Sequence, residues 1–255
     1  MHSIVASMTL KLLVWLAALS VFLRLLGRDG PAGGTRERQE LSAMLLGALV
    51  GSKLLAIATR PVLVLSASDL PEAWLMFVSA DSVTGALLGA RAGLWFAGAS
   101  DRGAKMADRL VRPTAWALIV LWSGGVLWAL RDGDYGGPTR LPWGIDFGDG
   151  LARHPVMLYQ AMIMLVLMLF DRLLASTGPP AGLRGTCFVS LTVLALACVA
   201  VLKAPFHVPL IMEWVTPRPH LYFRLATAEQ WAGLIAALIA LPRLWAGLER
   251  IRERL

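Results

Sequence analysis

The sequence predicts an all-α membrane protein with about seven transmembrane helices. Of its 255 residues, 57% are hydrophobic, and the mean hydropathy is +0.64, which is well above that of typical soluble domains. Apolar stretches long enough to cross a bilayer recur along the chain. The net charge is +7, but the Lys and Arg residues flank these stretches instead of forming a basic run interleaved with aromatics. That distribution is typical of membrane topology and argues against nucleic-acid binding.

The first apolar stretch is interpreted as a retained helix. Because Lys11 precedes an apolar run, the stretch also resembles a signal peptide, but only "RLLGRDG" follows it, without a small-x-small cleavage site. Residues 61–81 are interrupted by Pro and Asp, so we expect a short interfacial or re-entrant element there. No internal repeat is evident, which favours one domain spanning residues 1–255. The seven predicted spans are approximately 4–26, 41–59, 82–99, 114–130, 156–174, 185–202 and 228–246.

The distribution of Lys and Arg over the loops predicts the orientation. Lys and Arg are more frequent in the loops that join spans one and two, three and four, and five and six, together with the C-terminus, than in the remaining loops. By the positive-inside rule, the N-terminus then lies outside and the C-terminus lies in the cytosol. The fourth loop, which joins spans four and five, is therefore expected on the outer face.

That loop, "YGGPTRLPWGIDFGDGLARHPVMLYQ" (residues 135–160), is the candidate site. It is rich in Gly and Pro, and it holds Arg, Asp and His side chains between two apolar spans. Loops so dense in functional side chains often carry binding or catalytic residues. Asp146 and Asp149 are interpreted as turn formers, and no metal site is predicted.

Arg91 is the charged residue nearest the middle of a predicted span. A charge at the bilayer centre costs about 2.5–3.5 kcal/mol even on insertion scales. Arg91 is therefore expected to pair with an acid or to face a wet or lipid-headgroup cavity. Lys53 lies nearer the outward end of its span, after "LLGALVG", where a lysine can snorkel and where the glycines allow another helix to approach.

The run "RHPVMLYQ" (153–160) resembles the Arg-His-Pro-x-x-Leu-Tyr-Glu motif of the prolipoprotein diacylglyceryl transferase family. The preceding Gly136–Thr139 and Pro142–Trp143 are similar to the Gly-x-Pro-Thr and Pro-Trp elements of that family. Further similar stretches are "LLGALVGSKLLAI", "DSVTGALLGA" and "ATAEQWAGL", so that the resemblance covers about residues 41–245. It implies a seven-helix protein of the bacterial inner (plasma) membrane, with a site open to the outer leaflet.

The chain departs from the family at several charged positions. Thr84 stands where the family has a histidine, and Gln160 stands where its motif ends in Glu. Trp122 and Gly125 lie near the places of an arginine and an asparagine that the family uses in the reaction. The arginine of the family's sixth helix falls within the apolar residues 193–201.

The resemblance implies transfer of diacylglyceryl from phosphatidylglycerol to a cysteine thiol of a lipoprotein precursor, without a cofactor. Arg153 is expected to bind the phosphate, because a guanidinium binds phosphate bidentately. His154 is expected to position or deprotonate the thiol. Tyr159 completes the predicted catalytic set. The residues expected to bind the lipid are Lys53, Thr84, Arg91, Arg131, Tyr135 and Gln230.

Two other classes of function stay open at this point. A non-catalytic, lipid-binding relative would keep the cavity without the lost histidine and arginines. A transporter is suggested by Arg91 and by the interrupted segment 61–81, but the absence of an internal repeat argues against it. The "RHP" run could also be simple punctuation before a helix, and Trp143 and Tyr159 could be aromatic-belt residues.

Overall fold

A computed structural model describes residues 2–28, 35–59, 82–97, 101–132, 136–148 and 150–200, and beyond them residues 202, 235, 238, 241–242, 245, 249 and 252–253. Within this part of the chain the structure is built of helices and one short ribbon. The helices are α1 (His2–Arg28), α2 (Thr35–Thr59), α3 (Val83–Phe96), α4 (Asp101–Asp132), α5 (Val156–Ser176) and α6 (Leu183–Ala200). The strands are β1 (Ile145–Asp146) and β2 (Ala152–Arg153).

Four of these helices are long and apolar enough to cross a membrane, as expected for an all-α membrane protein. A fifth, α6, has a shorter apolar stretch, Leu183–Val199. Helix α3 has only 14 residues, about 21 Å, so alone it does not reach across a hydrocarbon core of about 30 Å. The segment 61–81 and most of the predicted seventh span lie outside the described residues, so the number of spans and their orientation stay predictions. The membrane-length stretches are Thr9–Gly27, Arg38–Ile57, Gly103–Leu127 and Val156–Ser176.

Helix α4 begins earlier than the predicted span 114–130. It runs without interruption for 32 residues and contains Pro113 in its interior. A proline lacks the N–H of one helical hydrogen bond and commonly ends or kinks a helix. Here Pro113 is almost completely buried, and the helix continues through it. The basic stretch before it, assigned to a loop from sequence, is therefore helical.

The core lies around α4, which contributes to both large clusters of buried side chains. The first cluster joins it to α1, α5 and α6 and includes Leu118, Trp122 and Met164. The second joins it to α2 and α3 and includes Met44 and Leu94. Because one helix takes part in both clusters, α4 links the α2–α3 pair to the remaining helices.

Helices α2 and α3 are antiparallel and pack backbone against backbone. Gly47 lies opposite Gly89, and Gly51 lies opposite Gly85, so the residue numbers rise along one helix as they fall along the other. A Cβ atom added to any of these four glycines would overlap a backbone oxygen of the facing helix. Small residues at four-residue spacing permit this close approach between membrane helices. At the end of this interface, Ser82 caps α3 and its N–H donates to Ser52 Oγ at 3.1 Å.

The helices alternate in direction, which gives the bundle two distinct ends. We name the end that holds the start of α5 and the end of α6 the ribbon end; there the N–H of Gly137 donates to the carbonyl of Leu202 at 2.9 Å. Val83, at the start of α3, lies toward the ribbon end as well and packs against the first core cluster. We name the opposite end the clamp end, where α5 finishes and α6 begins.

The clamp end is held by two carboxylates. Asp108 of α4 accepts hydrogen bonds from the N–H groups of Gly182 and Gly185, at 2.7 and 2.8 Å, and so caps the first turn of α6. Asp171 of α5 accepts two bonds from Arg184 of α6, from Nε at 2.8 Å and from Nη2 at 2.6 Å. Helices α4 and α5 are thus each tied to the start of α6.

Candidate functional site

The loop between α4 and α5 forms a small ribbon with β2 in its centre. On one side, Ile145 and Asp146 of β1 pair with Arg153 and Ala152. On the other side, residues 136–139 pair with residues 152–154, through the N–H of Thr139 to the carbonyl of Ala152 at 2.8 Å and further bonds between Gly136, Gly137 and His154. Both flanking segments run antiparallel to β2, so they run in the same direction as each other. The connection between them must therefore cross one face of the ribbon.

Local sequence explains this path. Residues Leu141–Gly144 form a hydrogen-bonded turn, in which the N–H of Gly144 donates to the carbonyl of Leu141 at 3.0 Å and Pro142 occupies the second position favoured by proline. We call this the crossing turn. Asp146 Oδ1 accepts the N–H groups of Gly148 and Gly150, at 2.8 and 3.0 Å, which makes Asp146 a turn former as expected. Both glycines have positive φ.

The crossing turn brings Trp143 to the start of α5. The indole N–H of Trp143 donates to the hydroxyl of Tyr159 at 2.9 Å. The same hydroxyl lies 3.2 Å from Nδ1 of His154, and the two rings meet edge to face. Trp143, Tyr159 and His154 therefore form one hydrogen-bonded chain, which we call the aromatic relay.

The donors and acceptors of the aromatic relay favour one arrangement of hydrogens. An indole nitrogen can only donate, so Tyr159 uses one oxygen lone pair to accept from Trp143. If the Tyr159 hydroxyl then donates its single hydrogen to Nδ1 of His154, each of the two hydrogen bonds has one donor and one acceptor. A neutral His154 in this arrangement carries its own hydrogen on Nε2. The reverse arrangement, with Nδ1–H donating to the phenol oxygen, leaves the hydroxyl hydrogen to find another acceptor.

Arg153 is only 8% exposed, whereas His154 next to it is half-buried. Arg153 belongs to the central strand of the ribbon, directly before the two residues that lead into α5. The sequence "RHP" thus joins the ribbon to a helix, with Pro155 as the last residue before α5. In the backbone, the motif marks the boundary between the ribbon and α5. Its Arg153 side chain is buried, and its His154 side chain contacts Tyr159.

The predicted site residues of α2 and α3 lie toward the ribbon end or in the middle of the bundle. Thr84 is buried in the first turn of α3, and Lys53 is half-buried beside Ser52, which bonds the start of α3. Arg91 is half-buried on α3, seven residues after Thr84. Seven residues are nearly two helical turns, about 10 Å, so Arg91 lies on the same face of α3 but nearer the clamp end.

Three predicted lipid-binding residues cannot be placed. The backbone of Arg131 belongs to the last turn of α4, but its side chain lies outside the described residues, as do Tyr135 and Gln230. From the sequence, Trp143 was expected in a family-like Pro-Trp element or in an aromatic belt, and its bond to Tyr159 was not predicted. The Pro-Trp pair in a turn was the signal available for it. Within the part of the chain that the structure describes, no cluster of three His, Cys, Asp or Glu side chains could hold a metal ion.

Two residues of α4 that the resemblance placed near charged family positions serve packing. Trp122 is buried in the first core cluster, and a Cβ atom at Gly125 would lie 3.2 Å from Sδ of Met157. Gln160, where the family motif ends in Glu, has a buried Oε1 that accepts no hydrogen bond from the described residues. No protein-family model and no curated protein matches the sequence.

Proposed function

We propose that the protein is a divergent membrane transferase that moves a diacylglyceryl group from a phosphatidylglycerol-like phospholipid to a cysteine thiol of a lipoprotein precursor. The aromatic relay is the observation that carries this proposal. It orders the side chain of His154 next to the buried Arg153, within the stretch that resembles the family motif. The proposal includes seven spans in a bacterial inner membrane, with the ribbon end on the outer side.

The reaction requires charge stabilisation on a phosphate. A thioether bond forms between the thiol sulfur and the terminal carbon of the diacylglyceryl group, while the bond between that carbon and its phosphate ester oxygen breaks. The electron pair leaves with the phosphate, and the thiol proton moves to the departing group. A phosphodiester with one negative charge thereby becomes a monoester that can carry two, so groups that donate to the phosphate stabilise the transition state more than the bound lipid.

The proposed roles follow from this change in charge. Arg153 binds the lipid phosphate, because its guanidinium can donate two parallel hydrogen bonds. His154 donates Nε2–H to the ester oxygen that leaves, in the tautomer that the Tyr159 hydroxyl favours. Its proposed role is thus donation to the phosphate, in place of deprotonating the thiol. Lys53, Thr84 and Arg91 are proposed to contact the bound lipid, as expected from the sequence.

A lipid-binding protein without transferase activity is the second candidate. The packing of Trp122 and Gly125 favours it, because these positions supply no charge to a reacting lipid. Gln160 favours it as well, because an amide cannot replace the negative charge of the family's Glu. Both candidates predict binding of an anionic phospholipid at the ribbon end, and only the first predicts a thioether product.

The test uses the full chain in nanodiscs with labelled phosphatidylglycerol and a peptide that carries one cysteine. His154→Ala should lower transfer by about 10²–10³-fold, the usual effect of losing one donor to a developing oxyanion, and should lower lipid binding much less. Arg153→Lys should weaken lipid binding by about tenfold, or ~1.4 kcal/mol. Arg172→Lys, at an exposed position near the clamp end, and His207→Ala are the controls.

The outcomes separate the two candidates. Thioether formation by the parent protein that His154→Ala abolishes supports the transferase. Binding of phosphatidylglycerol without product, with several peptides and at several pH values, rejects the transferase and supports the binding protein. Equal lipid binding by the parent and Arg153→Lys contradicts both proposals for this site.

A further inference from the structure

An exposed apolar patch lies on the ribbon and belongs to no core cluster of the described residues. Leu141 and Trp143 of the crossing turn are 41% and 56% exposed, and Leu151, just before β2, is 48% exposed. Pro142 is exposed between the first two. The crossing turn lies against β2, since a Cβ atom at Gly144 would be 3.0 Å from Cβ of Ala152. The four side chains, Leu141, Pro142, Trp143 and Leu151, are named the ribbon patch.

The position of the ribbon restricts what can cover this patch. The membrane-length stretch of α5 begins at Val156, two residues after the paired His154. The apolar stretch of α4 ends at Leu127, five residues before the helix ends. The ribbon therefore lies directly at the ends of two helices that are long and apolar enough to cross a membrane, where the headgroups of a surrounding bilayer would lie.

Trp143 has the contacts expected of an interfacial residue. Its polar N–H is bonded to Tyr159, while more than half of its surface stays exposed. The exposed part is therefore the apolar body of the ring, which lipid solvates better than water. Arg140, exposed beside the patch, can reach the phosphate layer while the apolar side chains lie deeper.

The connection between α5 and α6 provides an internal comparison. It also joins two apolar helices, but its residues 177–182 (Thr-Gly-Pro-Pro-Ala-Gly) include no large hydrophobic side chain. A connection that lies close to the end of an apolar helix therefore need not expose Leu or Trp side chains. The ribbon carries a feature that the connection at the clamp end lacks.

We propose that the ribbon patch inserts into the adjacent leaflet at the boundary between headgroups and acyl chains, and that this insertion holds Trp143 on Tyr159. The occupant of the patch is thus lipid, and not a second copy of the chain or a peptide. Lipid then restrains the apolar ring, and the bond to Tyr159 restrains the N–H, so both ends of the indole are held. The aromatic relay is then ordered by contact with the lipid surface. The insertion requires no transferase activity.

The test measures the depth of the patch in single-copy nanodiscs of phosphatidylcholine and phosphatidylglycerol. Leu141→Cys and Leu151→Cys, each in a Cys187→Ala, Cys198→Ala background, are labelled with an environment-sensitive fluorophore. Thr177→Cys, at an exposed position of the comparison connection, is the control. Because all three positions are exposed, these changes spare the core, and thermal unfolding of each labelled variant against the unlabelled background verifies this.

Lipids with a spin label high on the acyl chain should quench both patch labels, and depth analysis should place them about 5–10 Å below the headgroups. Aqueous iodide should quench these labels severalfold less than the Thr177 label. Iodide quenching equal to that of the control overturns the proposal. Shielding from iodide without quenching by lipid also overturns it, because a protein surface would then cover the patch.

Discussion

The hydroxyl oxygen of Tyr159 lies 3.2 Å from Nδ1 of His154 and accepts the indole N–H of Trp143 at 2.9 Å. One oxygen thus joins a residue of the crossing turn, a residue of α5 and the histidine between ribbon and helix. Since the indole is an obligatory donor, the hydroxyl hydrogen of Tyr159 remains available for Nδ1 of His154, and that arrangement leaves the hydrogen of a neutral imidazole on Nε2.

Tyr159→Phe should remove the hydrogen bond to Nδ1 of His154 without changing the ribbon backbone. The ¹⁵N resonance of Nδ1 in histidine-labelled protein should move toward the position of an imidazole that accepts no hydrogen bond, and transfer to the thiol should fall. Tyr222→Phe is the control with the same chemical change elsewhere. An unchanged His154 resonance in Tyr159→Phe would show that the relay does not form in the membrane.

Trp143→Phe should destabilise the protein by about 0.5–1.5 kcal/mol, the usual net contribution of one hydrogen bond. The phenyl ring keeps most of the apolar body, so the loss reports on the N–H. In a Tyr159→Phe background the same change should cost less, because its acceptor is already gone. Free energies of unfolding in mixed micelles complete the cycle. Trp95→Phe, at an exposed position on α3, is the control, and strict additivity of the cycle would argue against the bond.

Gly89→Ala should separate α2 from α3 and destabilise the bundle by about 1–3 kcal/mol, as is typical of overpacking. The added methyl group would overlap the backbone of Gly47, which cannot rotate away as a side chain can. Gly27→Ala is the matched control, since nothing lies within 4 Å of its added Cβ. Higher helix propensity should make that change neutral or stabilising by up to about 1 kcal/mol. Thermal unfolding checks the difference, and equal effects would contradict the close packing.

Asp171→Asn should destabilise the clamp end by about 1.5–3 kcal/mol, because it weakens two charge-assisted bonds from Arg184. Arg172→Gln changes a charge at the adjacent, exposed position and should have little effect. Hydrogen exchange of the first turn of α6 provides the local measurement. Exchange there that is equally slow in both variants would show that the pair contributes nothing to holding α6.

The helices were largely predictable from sequence, because apolar length is a local property. The predicted span 156–174 corresponds to α5, and 41–59 lies within α2. The early start of α4 was not predicted, since Pro113 and the basic residues before it are typical of a loop. What overrides them is burial by neighbouring helices, which the local sequence does not contain.

The site was predictable only in part. The "RHP" run and Tyr159 indicated the stretch that forms β2 and the start of α5, because their order is visible along the chain. The bond between Trp143 and Tyr159 spans 16 residues and depends on how the crossing turn passes over β2. In the same way, the sequence did not predict the bond from Arg184 to Asp171, which stands 13 residues before it. Such contacts result from the path of the backbone, which composition and spacing do not determine.

The carboxylates of Asp108 and Asp171 also make the bundle mechanically asymmetric. They fasten three helices where α6 begins, so a rotation about this point would move each helix most at its other end. Helix α5 has 21 residues and is about 30 Å long, so a rotation of about 5° about its fastened end would displace the far end by about 3 Å. A small angular change would thereby become a movement of atomic size where Tyr159 and His154 meet.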